Sequence, residues 1–291
     1  MKNDLIGKIC LGTAQFGMDY GIANKNGKPS RDTVFDILDY AHSTGIRTLD
    51  TASEYGDSES LIGEYITGRK ADFKIISKMA TAKNNSDAEK NCRAALERLN
   101  QPCIYGYLVR STALNGYRGM RRHLEELKEK QLIKKMGLSL YKTDELDRLL
   151  DSKLPFDIIQ VPYNIFDQRF CGYLPILRHM GVEIYSRSVF LQGFFFLDEA
   201  EIYENFTGAR TVMAKLRGIS VERDISINAL CLCFAVLNDN IDKVIIGVDS
   251  LRQIKENVAS LKDINRVKDV YDELKALRLE DEEVLLPYKW K

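Results

Sequence analysis

Short apolar runs alternate along the chain with stretches in which hydrophobic residues recur every three or four positions. The runs fall at 8–11, 46–50, 74–77, 104–109, 134–137, 156–160, 182–186 and 243–246 and predict eight strands. Between them, Val34, Ile37, Leu38 and Ala41 follow helical spacing, and Gly45 stands where such a helix stops. Leu230, Cys233, Phe234 and Leu237 repeat the pattern late in the chain. Ser86 with Glu89, and Ser250 with Gln253, predict helix starts with capping boxes. Eight strand–helix repeats without a long polar linker predict an α/β fold, a single (β/α)8 TIM barrel over 1–291, with a C-terminal tail from 280 acting as a strap or loop. An open doubly wound sheet is the competing arrangement. Its dinucleotide-binding form carries G-x-G-x-x-G after the first strand, whereas this chain has Gly12-Thr13-Ala14-Gln15-Phe16-Gly17.

The chain has 291 residues, with 42 Lys+Arg against 42 Asp+Glu. That balance argues against nucleic acid or an anionic membrane as partner, since both select basic excess. The sequence contains no run near the roughly 18 apolar residues of a membrane helix, and MKNDLIGKIC lacks the apolar stretch of a signal peptide. The six cysteines are scattered rather than grouped at metal spacing, so no metal site is expected and reduced thiols in a cytoplasmic protein are. Cys231 and Cys233 cannot face one way on a helix.

In a barrel of this kind the chemistry projects from the carboxyl ends of the strands. There stand Asp50 and Tyr55 after the second strand, Lys78 after the third, Arg110 after the fourth and Ser139 after the fifth. Gln160 and Asn164 follow the sixth, Arg187 and Ser188 the seventh, and Gly247 the eighth. A lysine at an apolar mouth needs a carboxylate to neutralise it, and Asp50 on the neighbouring strand is placed to do so. A phenol beside that ammonium has its anion stabilised and suits general acid catalysis. From the spacing alone, an Asp50–Lys78 structural pair beside an ordinary loop stands equally well.

The segments Leu11-Gly12-Thr13 and Leu49-Asp50-Thr51-Ala52-Ser53-Glu54-Tyr55-Gly56-Asp57-Ser58-Glu59 resemble the aldo/keto reductase family. So do Ile76-Ser77-Lys78, Lys135-Met136-Gly137-Leu138-Ser139, Ile159-Gln160-Val161-Pro162-Tyr163-Asn164, and Ile246-Gly247 with Glu256-Asn257. The resemblance implies reduction of a small-molecule carbonyl by NADPH, with NADH less favoured, and a catalytic set of Asp50, Tyr55 and Lys78. The family's fourth member is a histidine, where this chain has Arg110. His42, His123 and His179 fall elsewhere and read as structural.

Arg110 therefore has three readings: a grip for an anionic substrate, a sign of a weakened site, or a side chain turned away. The second leads to the alternative function, a dinucleotide-binding sensor with little or no catalysis. A Schiff-base aldolase using Lys78 is a further rival.

By the same resemblance, Ser139 and Gln160 hold the nicotinamide carboxamide, Arg187 lies flat on its ring, and Ser188, Leu191 and Gly193 strap the pyrophosphate. Gly12 and Thr13 line the site, while Gly247, Ser250, Gln253 and Asn257 take the adenosine end. The stretch 11–27 resembles relatives in bacterial surface-sugar synthesis, which points to a sugar or nucleotide-sugar. The run Phe194-Phe195-Phe196-Leu197 is either a substrate wall or loop packing, and Arg118, Arg121 and Arg122 read as a solvated face. A monomer or small homo-oligomer is expected.

Overall fold

The computed structural model describes residues 2–79, 87–110 and 114–290. The first half alternates β1 (Ile9–Gly12), α1 (Arg31–Thr44), β2 (Thr48–Asp50), α2 (Ser58–Arg69), β3 (Lys74–Lys78), α3 (Asp87–Leu99), β4 (Ile104–Arg110) and α4 (Leu114–Glu129). The second continues with β5 (Ile133–Ser139), α5 (Thr143–Asp151), β6 (Ile158–Pro162), α6 (Leu174–His179) and β7 (Glu183–Arg187). Then come α7 (Arg210–Glu222), α8 (Ile227–Val236), β8 (Lys243–Gly247) and α9 (Leu251–Ser260). All ladders are parallel, and β8 closes on β1 with Ile9 opposite Val244 and Gly12 opposite Gly247. This is the expected (β/α)8 barrel.

Most strands run one or two residues further than their apolar patterns. Lys78, Arg110, Ser139, Arg187 and Gly247 are strand-terminal residues rather than loop residues. The backbone ladder continues where the apolar pattern stops, because side chains at the mouth face a cleft while their peptide groups still pair, as Arg110 does with Ser139.

Helix α1 is built as expected. Ser30 Oγ accepts from Thr33 N–H, Val34, Ile37, Leu38 and Ala41 are buried, and Gly45 ends the helix at φ 99°. Helix α8 differs: every residue from Ala229 to Val236 is buried. It packs against α7, α9, β8 and the short helix Ile264–Asp269, so the predicted single apolar face is one side of an element enclosed all round. Cys231 and Cys233 are both buried there as free thiols, and burial pushes Cys233 up to about 12.

The capping box at Ser250 is half formed. Its Oγ accepts from Gln253 N–H at 3.4 Å, but Gln253 Oε1 reaches back to Asp249 N–H at 2.9 Å rather than to Ser250. Ser86 lies outside the described residues. On α4, Arg121 pairs with Glu125 and Arg122 with Glu126, in keeping with a solvated face; the side chain of Arg118 lies outside the described residues.

Inside the barrel, Cys10, Ile76, Leu108, Ile158, Tyr185 and Ile245 form a plug below the mouth. Each large apolar side chain buried in this way contributes about 1.5–3 kcal/mol, so the plug gives the mouth a rigid floor. The tail closes one flank of the mouth. Val284, Leu285 and Leu286 are buried, and Trp290 Nε1 donates to the Glu283 and Val284 carbonyls at 3.1 and 3.2 Å. Among the described residues, no helix is long and apolar enough to cross a membrane.

Candidate active site

Asp50 ends β2 and Lys78 ends β3, which brings the two side chains together at the floor of the mouth. Lys78 Nζ donates to both Asp50 carboxylate oxygens at 2.7 Å and to the Thr51 carbonyl at 3.2 Å. Both side chains are buried, 4% and 6% exposed. Burial alone would lower the lysine, but the Asp50 carboxylate and Tyr55 outweigh it and hold Lys78 above its ordinary value. Gln160 Nε2 donates to Asp50 Oδ1 at 2.7 Å, and Ser139 Oγ donates to Gln160 Oε1 at 3.1 Å. One chain of hydrogen bonds therefore crosses the mouth from β5 to β3.

Two cations lie over the Tyr55 ring. Lys78 Nζ is 5.3 Å from its ring centroid and the Arg110 guanidinium carbon is 5.9 Å from it. The loop that carries Tyr55 is fixed by close backbone contact with the loop after β1. A Cβ on Gly17 would stand 1.7 Å from the Tyr55 carbonyl oxygen, and one on Gly56, at φ 52°, would stand 2.1 Å from the Gly17 oxygen. Ser58 Oγ then pins the two loops, donating to Thr13, whose own hydroxyl donates to the Asp50 carbonyl at 3.0 Å. Beneath, the buried Glu59 carboxylate accepts from Ser77 Oγ at 2.6 Å and from Arg98 Nε at 2.8 Å. The Ser58-Glu59 part of the motif is thus a scaffold that aims Tyr55.

Arg110 lines the cavity and is not turned away from it, which removes the third reading of this residue. Its Nη1 lies 2.6 Å from Glu54 Oε2, so a carboxylate balances its charge. Arg187 also faces the cavity; its guanidinium carbon lies over the Tyr141 ring, 4.0 Å from the centroid, and Nη2 donates to the Leu140 carbonyl at 2.7 Å.

The cavity, about 660 Å³, runs from Tyr55 across the mouth to the N-terminal turn of α9. Gly12, Thr13, Asp50, Lys78, Ser139, Gln160, Ser188, Gly193, Gly247, Gln253 and Asn257 all line it. Two expected cofactor residues do not. Leu191 is buried in the core beneath its loop, with φ 45°, and Ser250 spends its hydroxyl as the helix cap. Among the Phe run, Phe194 and Phe195 are packed inside while Phe196 is exposed on the cavity rim.

Sequence reasoning missed Glu54, Tyr20, Tyr141 and the tail residue Tyr288, all on the cavity wall. Glu54 was inside a recognised motif. The other three lie in stretches without periodicity, where nothing local marks which side chains turn inward. The three histidines stay structural: His42 meets Asp72 at 2.8 Å, His123 faces Glu126, and His179 ends α6.

The fold and site define a (β/α)8 enzyme whose buried Asp–Lys pair and phenol stand at the carboxyl end of the barrel. The chain belongs to the aldo/keto reductase family, whose profile matches residues 8–278. It is an oxidoreductase of the carbonyl-reducing kind that this family comprises. It is 26% identical to the aldo-keto reductase str7 of Strobilurus tenacellus, an alignment covering 97% of this chain and 90% of that one. Norsolorinic acid reductase B of Dothistroma septosporum is 32% identical over 89 residues, 29% of this chain and 22% of that protein. Among solved structures, the fold is similar to the holo form of an aldo-keto reductase from Bacillus halodurans. That likeness has a TM-score of 0.77 at 19% identity and covers 97% and 95% of the two chains.

Proposed function

We propose that this protein reduces an aldehyde or ketone with NADPH, and that Tyr55 is the general acid. The observation that carries the reading is the position of Tyr55 over the buried Lys78–Asp50 pair, in a cavity long enough to continue to α9.

The residues fit a nicotinamide coenzyme. Beyond the bond they share, Ser139 keeps lone pairs to accept and Gln160 keeps an N–H to donate, the complement of a carboxamide. Asn257 is buried yet faces the cavity, and the first turn of α9 offers backbone N–H groups that suit a phosphate. When bound, the coenzyme supplies hydride to the carbonyl carbon. Tyr55 gives its proton to the carbonyl oxygen, so the product is the alcohol. Lys78 stabilises the phenolate left behind, and Asp50 keeps Lys78 charged and aimed.

Arg252 is the cation on the adenosine rim that favours the 2′-phosphate, while Lys255 instead lies over the Tyr40 ring at 5.7 Å. Asp249 and Glu256 on the same rim oppose the phosphate, so the preference for NADPH over NADH is expected to be only severalfold. At the other end, Glu54 and Arg110 present an acceptor and a donor together, which suits a substrate carrying hydroxyls, as a sugar does.

Calorimetric titration with NADPH and NADH tests the site, followed by turnover on a carbonyl panel. Micromolar binding with turnover that Tyr55→Phe abolishes supports the reading. Tight binding without turnover of any carbonyl makes the protein a dinucleotide sensor, and no binding removes the assignment of Tyr55.

A further inference from the structure

Two loops meet on the wall of the cavity that holds Tyr55, one after β1 and one after β7. Ile22 N–H donates to the Gln192 carbonyl at 2.9 Å, and Gln192 Nε2 donates to the Tyr20 hydroxyl at 2.9 Å. The β1 loop is held from within by Asn24, whose Oδ1 accepts from Asn26 N–H and Gly27 N–H at 3.0 Å. Asn24 Nδ2 in turn donates to the Tyr20 carbonyl at 3.4 Å. The β7 loop holds Leu191 and Gln192 at φ 45° and 53°, conformations that persist for such residues only where the surroundings over-determine them. Tyr20 is therefore a placed side chain, and it lines the same cavity as Tyr55 and Arg110.

Its chemistry follows from its partners. Gln192 donates to the phenol oxygen, so the one phenol proton of Tyr20 is left for the cavity. Arg110, at the position of the family histidine, has Nη1 engaged by Glu54. We infer that Tyr20 is a second hydrogen-bond donor to the substrate's carbonyl oxygen, a catalytic residue that shares with Tyr55 the negative charge developing there.

This rests on the carbonyl reduction proposed above. Hydride reaches carbon, the proton reaches oxygen from Tyr55, and Tyr20 keeps its proton throughout. Burial, then the neighbouring phenols of Tyr55 and Tyr141, pushes Tyr20 well up, so it remains a neutral donor across the working range. A preorganised donor of this kind strengthens as charge builds on the oxygen and acts on the transition state more than on the bound substrate.

The experiment compares wild type, Tyr20→Phe and Gln192→Leu on para-nitrobenzaldehyde and a panel of ketones and reducing sugars, with calorimetric titration of NADPH on each. Tyr20→Phe is expected to lower kcat by about a hundredfold while KM and NADPH affinity stay within threefold. Gln192→Leu, which leaves the hydroxyl but releases its aim, is expected to lower kcat by about tenfold. Wild-type kcat in Tyr20→Phe overturns the assignment. So does a loss shared equally by kcat and NADPH affinity, since that marks Tyr20 as a wall of the cavity. A wild type that binds NADPH and reduces nothing removes the reduction itself and the donor with it.

Discussion

Arg110 at the end of β4 reaches Glu54 in the loop after β2, Nη1 to Oε2 at 2.6 Å, and the pair borders Tyr55. The cation at this position is therefore balanced. Glu54→Gln leaves the guanidinium with unopposed charge, and KM for an aldehyde bearing a carboxylate should fall severalfold while a neutral aldehyde changes little. Steady-state kinetics on such a matched pair decides it: equal shifts for both substrates exclude an electrostatic role. Because the two side chains are 30% and 38% exposed, Arg110→His should cost less than about 1 kcal/mol of stability. If Arg110→His left turnover unchanged on every substrate, Arg110 would have no part in the reaction.

The buried Lys78–Asp50 pair predicts strong coupling. Lys78→Met leaves the Asp50 carboxylate buried with Gln160 as its remaining side-chain donor among the described residues and should cost about 3–5 kcal/mol. Adding Asp50→Asn should restore more than half of that loss. Urea unfolding of the two single variants and the double variant reads the coupling, and simple additivity would mean the pair is not electrostatically linked. The raised lysine fixes the sign with pH: its contribution is complete below its ordinary value of 10.5 and is lost as pH rises through the higher folded value.

Gly17 predicts a kinetic effect from a residue with no functional group. Gly17→Ala puts a methyl 1.7 Å from the Tyr55 carbonyl oxygen, so the Tyr55 loop must move. Misplacement on this scale should lower kcat by at least tenfold, with dinucleotide affinity preserved because α9 and β6 are untouched. Kinetics and calorimetry together test it, and a variant with normal kcat would show that the loop tolerates displacement.

At the opposite end of the barrel, Glu183 accepts from Lys135 Nζ at 2.6 Å and from the Tyr105 hydroxyl at 2.7 Å. Burial would raise this carboxyl, but those two bonds outweigh burial and hold it below its ordinary value. Its stabilisation is thus complete above about 4.5 and is lost as pH falls through the lower folded value. The stability gap between wild type and Glu183→Gln should be constant near neutrality and shrink below pH 4.5. A gap that does not change with acid would place the effect in packing rather than charge.

The barrel was legible from its apolar runs because each strand is a local pattern repeated eight times, and a one-residue slip would turn core side chains outward. Asp50 and Lys78 were legible as a pair for a different reason: a charge at a buried strand end has to be neutralised, and neighbouring strands supply the partner. The family motif brought Tyr55 with them. That the Leu191 and Ser250 side chains stand off the cavity wall was not legible, because sequence position does not tell which way a loop side chain or a helix cap turns.

The eight strands and the Asp50–Lys78 pair were therefore legible in the sequence through local periodicity and the cost of burying charge, while Tyr55 came with the family motif. Tertiary structure alone decided that Glu54 balances Arg110, that Arg187 lies on Tyr141, and that Gln192 meets Tyr20 across 172 residues. Those contacts join strand ends and loops from different parts of the barrel. Loop geometry is set by what the closed barrel brings within reach, and no local spacing in the chain encodes it.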